Sequence, residues 1–550
     1  MPQNTIDSIG AAVLDLRQRM DPLDDAFRVL PRPAHVLPAI SAGWEADLRS
    51  GLDAQEAALA SLPSTRQDDP LARAIVARQM EEARLRLDTA FWAIFLTGYD
   101  HSPLGRVSGL FPTLPVDCPA ARAWFLEALA SVGGYLDGCL DASARAASRG
   151  RTPLDRSLKQ ALRDWSALER NQGRDLLPAE VTPDFAAEAS ALFERHVSPA
   201  VARYVGGLEH TWATTRGNDR PGLCHVPGGR ADYERLVALH TDRAAAADEI
   251  HAYGLAEVAR LRDALATLCE MDAQASVEEM LAPRPNEAVN ATPADVAAEM
   301  CTFLDAARRS FADRFDFDRI GPMRSEAIPA HLSAASPPAY YIPGNDARPG
   351  TLMVNHAALV GQPCGAVQAM VFHEAIPGHH LQFEIARSVA SPDYRRASWF
   401  NSFIEGWGLY CEELAAEEGL YVTRAALRGK IGMELLRAAR LIVDTGLHAR
   451  GWSFEKALAC FMDVTGFATA RAEREIARYI EYPAQALSYA MGKAWLLRLR
   501  ADAHKALGRD FDLRRFHGEV LRYGAVPLDA MADQVTASLL LDQARRSTVQ

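Results

Sequence analysis

The stretch Val371-Phe-His-Glu-Ala-Ile-Pro-Gly-His-His-Leu-Gln382 decides how this chain is read. His373 and Glu374 open it the way a zinc-hydrolase helix opens. In the H-E-x-x-H pattern, two histidines four residues apart share a helix face and hold Zn²⁺. The glutamate between them takes a proton from the water that the metal activates. Here the pattern is bent. The residue four after His373 is Pro377, which has no ligand atom, and the next histidines are His379 and His380.

Two imidazoles on one Zn²⁺ each lie about 2.0–2.1 Å from it, so their nitrogens must sit only a few Å apart. In an unbroken helix His379 would be rotated roughly 120° from His373, and His380 would share its face about 10 Å further along. Neither pairing works in a straight helix. Pro377 removes a helix hydrogen bond and kinks the axis, and Gly378 tolerates the dihedrals that follow. The expectation is a broken or bulged helix that carries a later histidine back to the metal.

The pattern H-E-x-x-P-G-H, with Glu405-Gly-Trp407 starting 26 residues after its last histidine, resembles the family catalogued as domain of unknown function 885. That family is grouped with the zincin metallopeptidases. The resemblance continues through Tyr340-Tyr-Ile-Pro343, Arg440-Leu-Ile-Val-Asp-Thr-Gly-Leu-His448 and Arg478-Tyr479 to Gln485-Ala-Leu-Ser-Tyr489. It covers nearly the whole chain and implies a mainly α, large helical zincin-like fold. A deep cleft and a small β-sheet next to the motif helix go with it. It also implies His373, His379 and Glu405 as ligands of Zn²⁺ and leaves His380 outside. In the Glu-type zincins the third ligand is a glutamate on the helix after the motif helix.

Glu405 lies in an otherwise apolar helix, Trp399 to Leu414, where an ionised carboxylate needs a partner. Zn²⁺ or an arginine would satisfy it, and Gly406 and Gly408 would let another element approach closely. Glu412 and Glu413 read as surface groups or supports. Arg440, Asp444 and His448 are spaced four apart on one helical stripe. They could form an ion-pair ladder. Alternatively, His448 stands by the substrate carbonyl as an electrophile, oriented by Asp444. A tyrosine hydroxyl is a common oxyanion donor in zincins of the angiotensin-converting-enzyme and carboxypeptidase Taq type, which makes Tyr489 a candidate. Arg478 could clamp a substrate carboxylate. Tyr340 and Tyr341 are further candidates for these roles.

The rest of the sequence bounds the answer. The 550 residues, 49% hydrophobic and 24% charged, suit a globular protein. The net charge of −12 argues against a nucleic-acid partner. No basic-then-apolar leader and no long apolar run is present, so a cytoplasmic protein without a membrane partner is expected. The eight cysteines never form C-x-x-C. They read as free thiols, with Cys364, nine residues before His373, as a redox-sensitive candidate.

Residues 1–315 read as helices that form cleft walls, with Thr152-Pro153, Thr182-Pro183 and Thr292-Pro293 as helix openings. A long loop is expected over 209–229 and a continuous helix over 233–268. Residues 316–550 read as a zincin-like catalytic region of short strands and then helices, the two regions forming one compact unit. A strand just before the motif helix would serve as an edge for the substrate backbone.

The leading expectation is a zinc-dependent hydrolase of an amide, foremost a peptide bond, with Glu374 as general base. The alternatives are a zinc hydrolase of a non-peptide amide or modified amino acid in a pathway, and a catalytically silent protein that keeps the metal site for binding.

Overall fold

The computed structural model describes residues 5–30, 34–63, 69–98, 102–178, 181–242, 245–272, 274–284, 287–328, 333, 336–346, 348–362 and 367–547, without the side chains of 25, 319 and 542–547. Cys364 lies outside the described residues. The chain is 70% helix with one three-stranded sheet.

Polar residues set many helix starts. Side chains of Thr5, Ser41, Asp69, Thr182, Thr292, Thr423 and Ser453 each accept a backbone N–H of the first turn they open. The helices before the sheet are α1 (Ile6–Met20), α2 (Ala42–Ser61), α3 (Pro70–Thr89), α4 (Pro119–Ser148), α5 (Asp155–Arg170), α6 (Pro183–Leu192), α7 (Ser198–Thr211), α8 (Gly229–His240), α9 (Ala247–Cys269), α10 (Val277–Leu281) and α11 (Pro293–Ser310). After the sheet come α12 (His356–Leu359), α13 (Gln368–Glu374), α14 (His379–Ser388), α15 (Asp393–Arg396), α16 (Asn401–Glu417), α17 (Arg424–His448), α18 (Phe454–Thr465), α19 (Thr469–Glu481), α20 (Ser488–Leu507), α21 (Leu513–Leu521) and α22 (Leu528–Ser547).

Two helix expectations are corrected. Thr152 does not cap α5, which starts at Asp155 with Leu154 before it and no side-chain cap. Residues 153–155 instead hydrogen-bond as a short bridge to Arg216, which postpones the helix. The continuous helix over 233–268 is broken into α8 and α9. Asp242 adopts a left-handed φ of 49°, and its buried carboxylate accepts from Ser402 and from the Leu528 N–H.

The strands are β1 (Met323–Ala327), β2 (Ala339–Ile342) and β3 (Gly350–Val354), in the order β1-β3-β2. β3 runs parallel to β1 and antiparallel to β2, with Leu352 opposite both Ser325 and Tyr341. The strand just before the motif helix is therefore the central one. The free edges belong to β1 and β2, because pairing between distant segments, not chain order, sets strand position.

Hydrophobic packing runs across residue 315. One core cluster joins Ile9, Leu48 and Phe311 to Phe372, Trp407 and Leu539. Two helix pairs frame the site. α16 crosses α20 where Gly406 meets Gly492, and a Cβ on Gly492 would sit 1.9 Å from the Ser402 carbonyl oxygen. α17 packs along α9 and is buried on every side from Leu435 to His448. No described helix is long and apolar enough to cross a membrane. The seven described cysteines are all free.

Candidate metal centre

The motif helix breaks at the expected place. α13 ends at Glu374, the Ile376–Pro377 peptide is cis, and α14 begins at His379. The Pro377 carbonyl oxygen accepts from Trp407 Nε1 (3.0 Å) and Cys411 Sγ (3.3 Å) on α16. Gly378 lies so close to the end of α13 that a Cβ there would sit 1.8 Å from the His373 carbonyl oxygen. The turn therefore needs a residue without a side chain at 378.

The break brings two imidazoles together, with ring centroids 4.8 Å apart and planes nearly perpendicular at 87°. Glu405 Oε2 lies 3.4 Å from His373 Nε2 and 3.7 Å from His379 Nε2. One ligand atom from each of these three residues falls within 4.8 Å of the others. Bonds of about 2.0–2.1 Å at a tetrahedral angle separate ligand atoms by roughly 3.4 Å, so the cluster has the dimensions of a Zn²⁺ site.

The far sides of the rings are fixed as well. His373 Nδ1 lies 2.9 Å from Glu412 Oε1, and His379 Nδ1 lies 3.1 Å from Gln382 Oε1. With Nδ1–H donating outward, each ring turns its Nε2 inward, the atom that binds a metal once it is unprotonated. Arg437 in turn holds Glu412 Oε1 at 3.4 Å, while the buried Glu412 Oε2 has no hydrogen-bond partner among the described residues. Gly408 makes the space for the ring of His373: a Cβ there would lie 2.5 Å from its Cε1.

Electrostatics point the same way. Burial disfavours a charged His373, yet its hydrogen bonds to Glu405 and Glu412 outweigh that and push its pKa up to about 9. Burial also works to raise Glu405, but hydrogen bonds with the two imidazoles hold it well below the usual carboxylate range. The cluster thus attracts positive charge where the three ligand atoms meet. Donor set, spacing and charge all fit a divalent metal. Glu374 stands beside it, partly exposed, its carboxyl raised by burial against the pull of His373 and His379.

The other candidates divide. His380 faces away from the cluster: its Nδ1 meets the Tyr341 hydroxyl at 3.0 Å and its Nε2 the Gly321 carbonyl at 3.1 Å. Tyr489 stacks on His373 with centroids 6.3 Å apart. The Arg440 guanidinium lies 4.7 Å over the Tyr489 ring. Arg478 donates to Gln485 Oε1 at 2.7 Å, with the Tyr489 hydroxyl nearby. Tyr340 is partly exposed on β2.

His448 is not oriented by Asp444. Its Nδ1 accepts from the Leu223 N–H at 3.0 Å, its Nε2 donates to the Tyr479 carbonyl at 2.9 Å, and its ring stacks on Tyr233. Burial pushes it down to about 3, so it is neutral with both nitrogens occupied. Asp444 instead accepts from the Tyr233 hydroxyl (2.6 Å) and the Ala484 N–H (3.1 Å). Arg440 pairs with Glu475 at 3.3 Å. The three residues therefore do not form a ladder: each is engaged by groups of the elements packed around α17 and not by one another.

Gln382 escapes assignment in the sequence, while Glu412 reads there only as a surface group or support and Gly408 only as a point of close approach. Glu412 left one legible trace: it lies two helical turns after Glu405, on the same face.

The chain matches the family described as "Bacterial protein of unknown function (DUF885)" over residues 28–535, and it belongs to that family. Two solved structures share its fold. One is a protein from Colwellia psychrerythraea, provisionally named a lipoprotein, with a TM-score of 0.84 and 22% identity over 97% of this chain and 98% of that one. The other, from Shewanella oneidensis, carries the same provisional name and is described as of unknown function. It has a TM-score of 0.72 and 16% identity over 96% and 99% of the two chains. No curated protein matches the sequence.

Proposed function

We propose that this protein is a zincin-like, zinc-dependent hydrolase of amide bonds, most simply peptide bonds, working in the cleft around His373, His379 and Glu405. The observation that carries this reading is the convergence of those three ligand atoms within 4.8 Å, with the Glu374 carboxyl close enough to feel both imidazoles. A bound Zn²⁺ would supply Lewis acidity, lowering the pKa of water and polarising a carbonyl.

The chain's own residues do the rest. His373 and His379 would hold the metal through Nε2, and Glu405 would add a carboxylate oxygen. Glu412 and Gln382 fix the tautomers and directions of the two rings. Glu374 accepts the proton of the attacking water and delivers it to the leaving nitrogen. Tyr489 offers its hydroxyl to the oxygen of the carbonyl under attack, where charge develops. The neighbouring Arg478 guanidinium and its stacking on His373 set its position.

The test is a mass-spectrometric screen of the zinc-loaded protein against a peptide library, followed by Glu374→Gln on the best substrate. The variant should keep its metal and lose at least ~10²–10⁴-fold in rate, the contribution of a placed general base. Comparable turnover by Glu374→Gln would remove this mechanism.

A further inference from the structure

Beside the metal cluster, the wall made by α17 and α19 holds more positive charge than nearby carboxylates neutralise. Arg440 spends its charge on Glu475 at 3.3 Å and also donates to the Tyr479 hydroxyl at 3.2 Å. Glu475 accepts from that same hydroxyl at 2.5 Å. Burial works to raise Glu475, but Arg440 and Arg478 together hold it down to about 2.

Arg478 has no ion-pair partner among the described residues. Its near contacts are neutral: Gln485 Oε1 at 2.7 Å and the Tyr489 hydroxyl. One carboxylate thus faces two guanidinium groups. Arg440 is buried at 5% exposure, whereas Arg478 is partly exposed. The cation without an ion-pair partner is therefore the one that solvent reaches. A cation withdrawn from water without an anion is costly, and a planar guanidinium suits a carboxylate.

The position is equally informative. Tyr489 stacks on His373 with ring centroids 6.3 Å apart, and the Arg440 guanidinium lies 4.7 Å from the centroid of the same ring. One ring therefore touches both the cationic wall and a candidate metal ligand. A chain advances ~3.3–3.6 Å per residue, so only one or two residues of a substrate fit between the scissile carbonyl and this wall.

We propose that Arg478, backed by Arg440, receives a free carboxylate on the leaving side of the substrate. The substrate class is then short acyl-amino acids and peptides cut next to a free C-terminus. This assignment rests on the hydrolase reading above.

Matched pairs of N-acyl dipeptides, free acid against C-terminal amide, test it in the zinc-loaded protein. A charge-assisted anchor corresponds to roughly 10–100-fold in discrimination. Wild type should prefer the acid by about that factor in kcat/KM. Arg478→Met, verified as folded by circular dichroism, should shrink the preference to about threefold or less, and Arg478→Lys should restore part of it. Calorimetric titration of metal-free protein with an N-acyl amino acid and its amide gives a readout independent of turnover. The acid should bind more tightly, and only while Arg478 is present. Equal cleavage of acid and amide by wild type would overturn the anchor and leave the hydrolase reading intact. So would an acid preference unchanged in Arg478→Met. Acid-selective binding through Arg478 without cleavage of either compound would sustain the anchor and overturn the hydrolase reading.

Discussion

Glu412 Oε1 lies 2.9 Å from His373 Nδ1, and Arg437 holds the same oxygen from the other side at 3.4 Å. Two helices, α16 and α17, thereby fix the direction in which the first histidine of the motif presents its Nε2. Groups that orient a metal-binding histidine typically contribute 10–100-fold to metal affinity. Glu412→Gln should weaken Zn²⁺ binding by about that factor while leaving all three ligands in place. Competition against a chromogenic chelator measures it, and an unchanged affinity would show that this contact is incidental.

The space beside His373 is a second lever. Gly408→Ala would place a Cβ 2.5 Å from the His373 ring, so the ring must shift. Zinc affinity should fall at least about tenfold by the same orientation argument, with helix content retained. Gly518, with nothing within 4 Å of its Cβ position in α21, is the control. Gly518→Ala should leave zinc binding intact and stabilise the fold by up to about 1 kcal/mol. Equal zinc affinities of the two variants would contradict the packing argument.

The adjacent histidines separate cleanly. His380 is committed to Tyr341 and Gly321, while His379 faces Glu405. His379→Ala should lose bound zinc and His380→Ala should retain it. The reverse pattern in elemental analysis would reassign the ligand.

Stability should fall in acid. Burial pushes His517 down to about 3 from an ordinary 6.5, and its nitrogens are used by the Tyr410 hydroxyl and the Arg314 carbonyl. A folded-state pKa below the unfolded one means that the unfolded chain takes up the proton first. Its contribution is present above about pH 6.5 and is lost as pH falls toward 3. His240 and His448, each pushed down to about 3 by burial, act in the same direction. Each contributes a slope of about 1.4 kcal/mol per pH unit between those limits. Denaturant titrations of His517→Gln between pH 4 and 6 should give a slope smaller by about that amount. A slope equal to wild type would mean that His517 is not buried in its neutral form.

The break between α13 and α14 was legible because helix geometry leaves His373 and His379 no other way to meet. Glu405 was legible because a lone carboxylate in an apolar helix needs a positive partner. The close approaches at Gly406 and Gly408 were foreseeable as such, but not that the first faces Gly492 and the second the His373 ring. His448 shows where the sequence stops. Spacing places it on one stripe with Arg440 and Asp444, but α17 is enclosed by several elements, and only tertiary packing assigns Leu223, Tyr479 and Tyr233 as its neighbours. Strand order failed for the same reason: nothing local in Met323–Ala327 announces that it pairs with β3 and makes it central.

The central claim is that His373, His379 and Glu405 form one metal site, and elemental analysis after dialysis tests it most directly. Wild type should retain about one zinc per chain, and Glu405→Gln, a near-isosteric change at the carboxylate facing both imidazoles, should retain almost none. A wild-type protein that keeps no zinc, or a Glu405→Gln variant that keeps as much as wild type, would contradict the account.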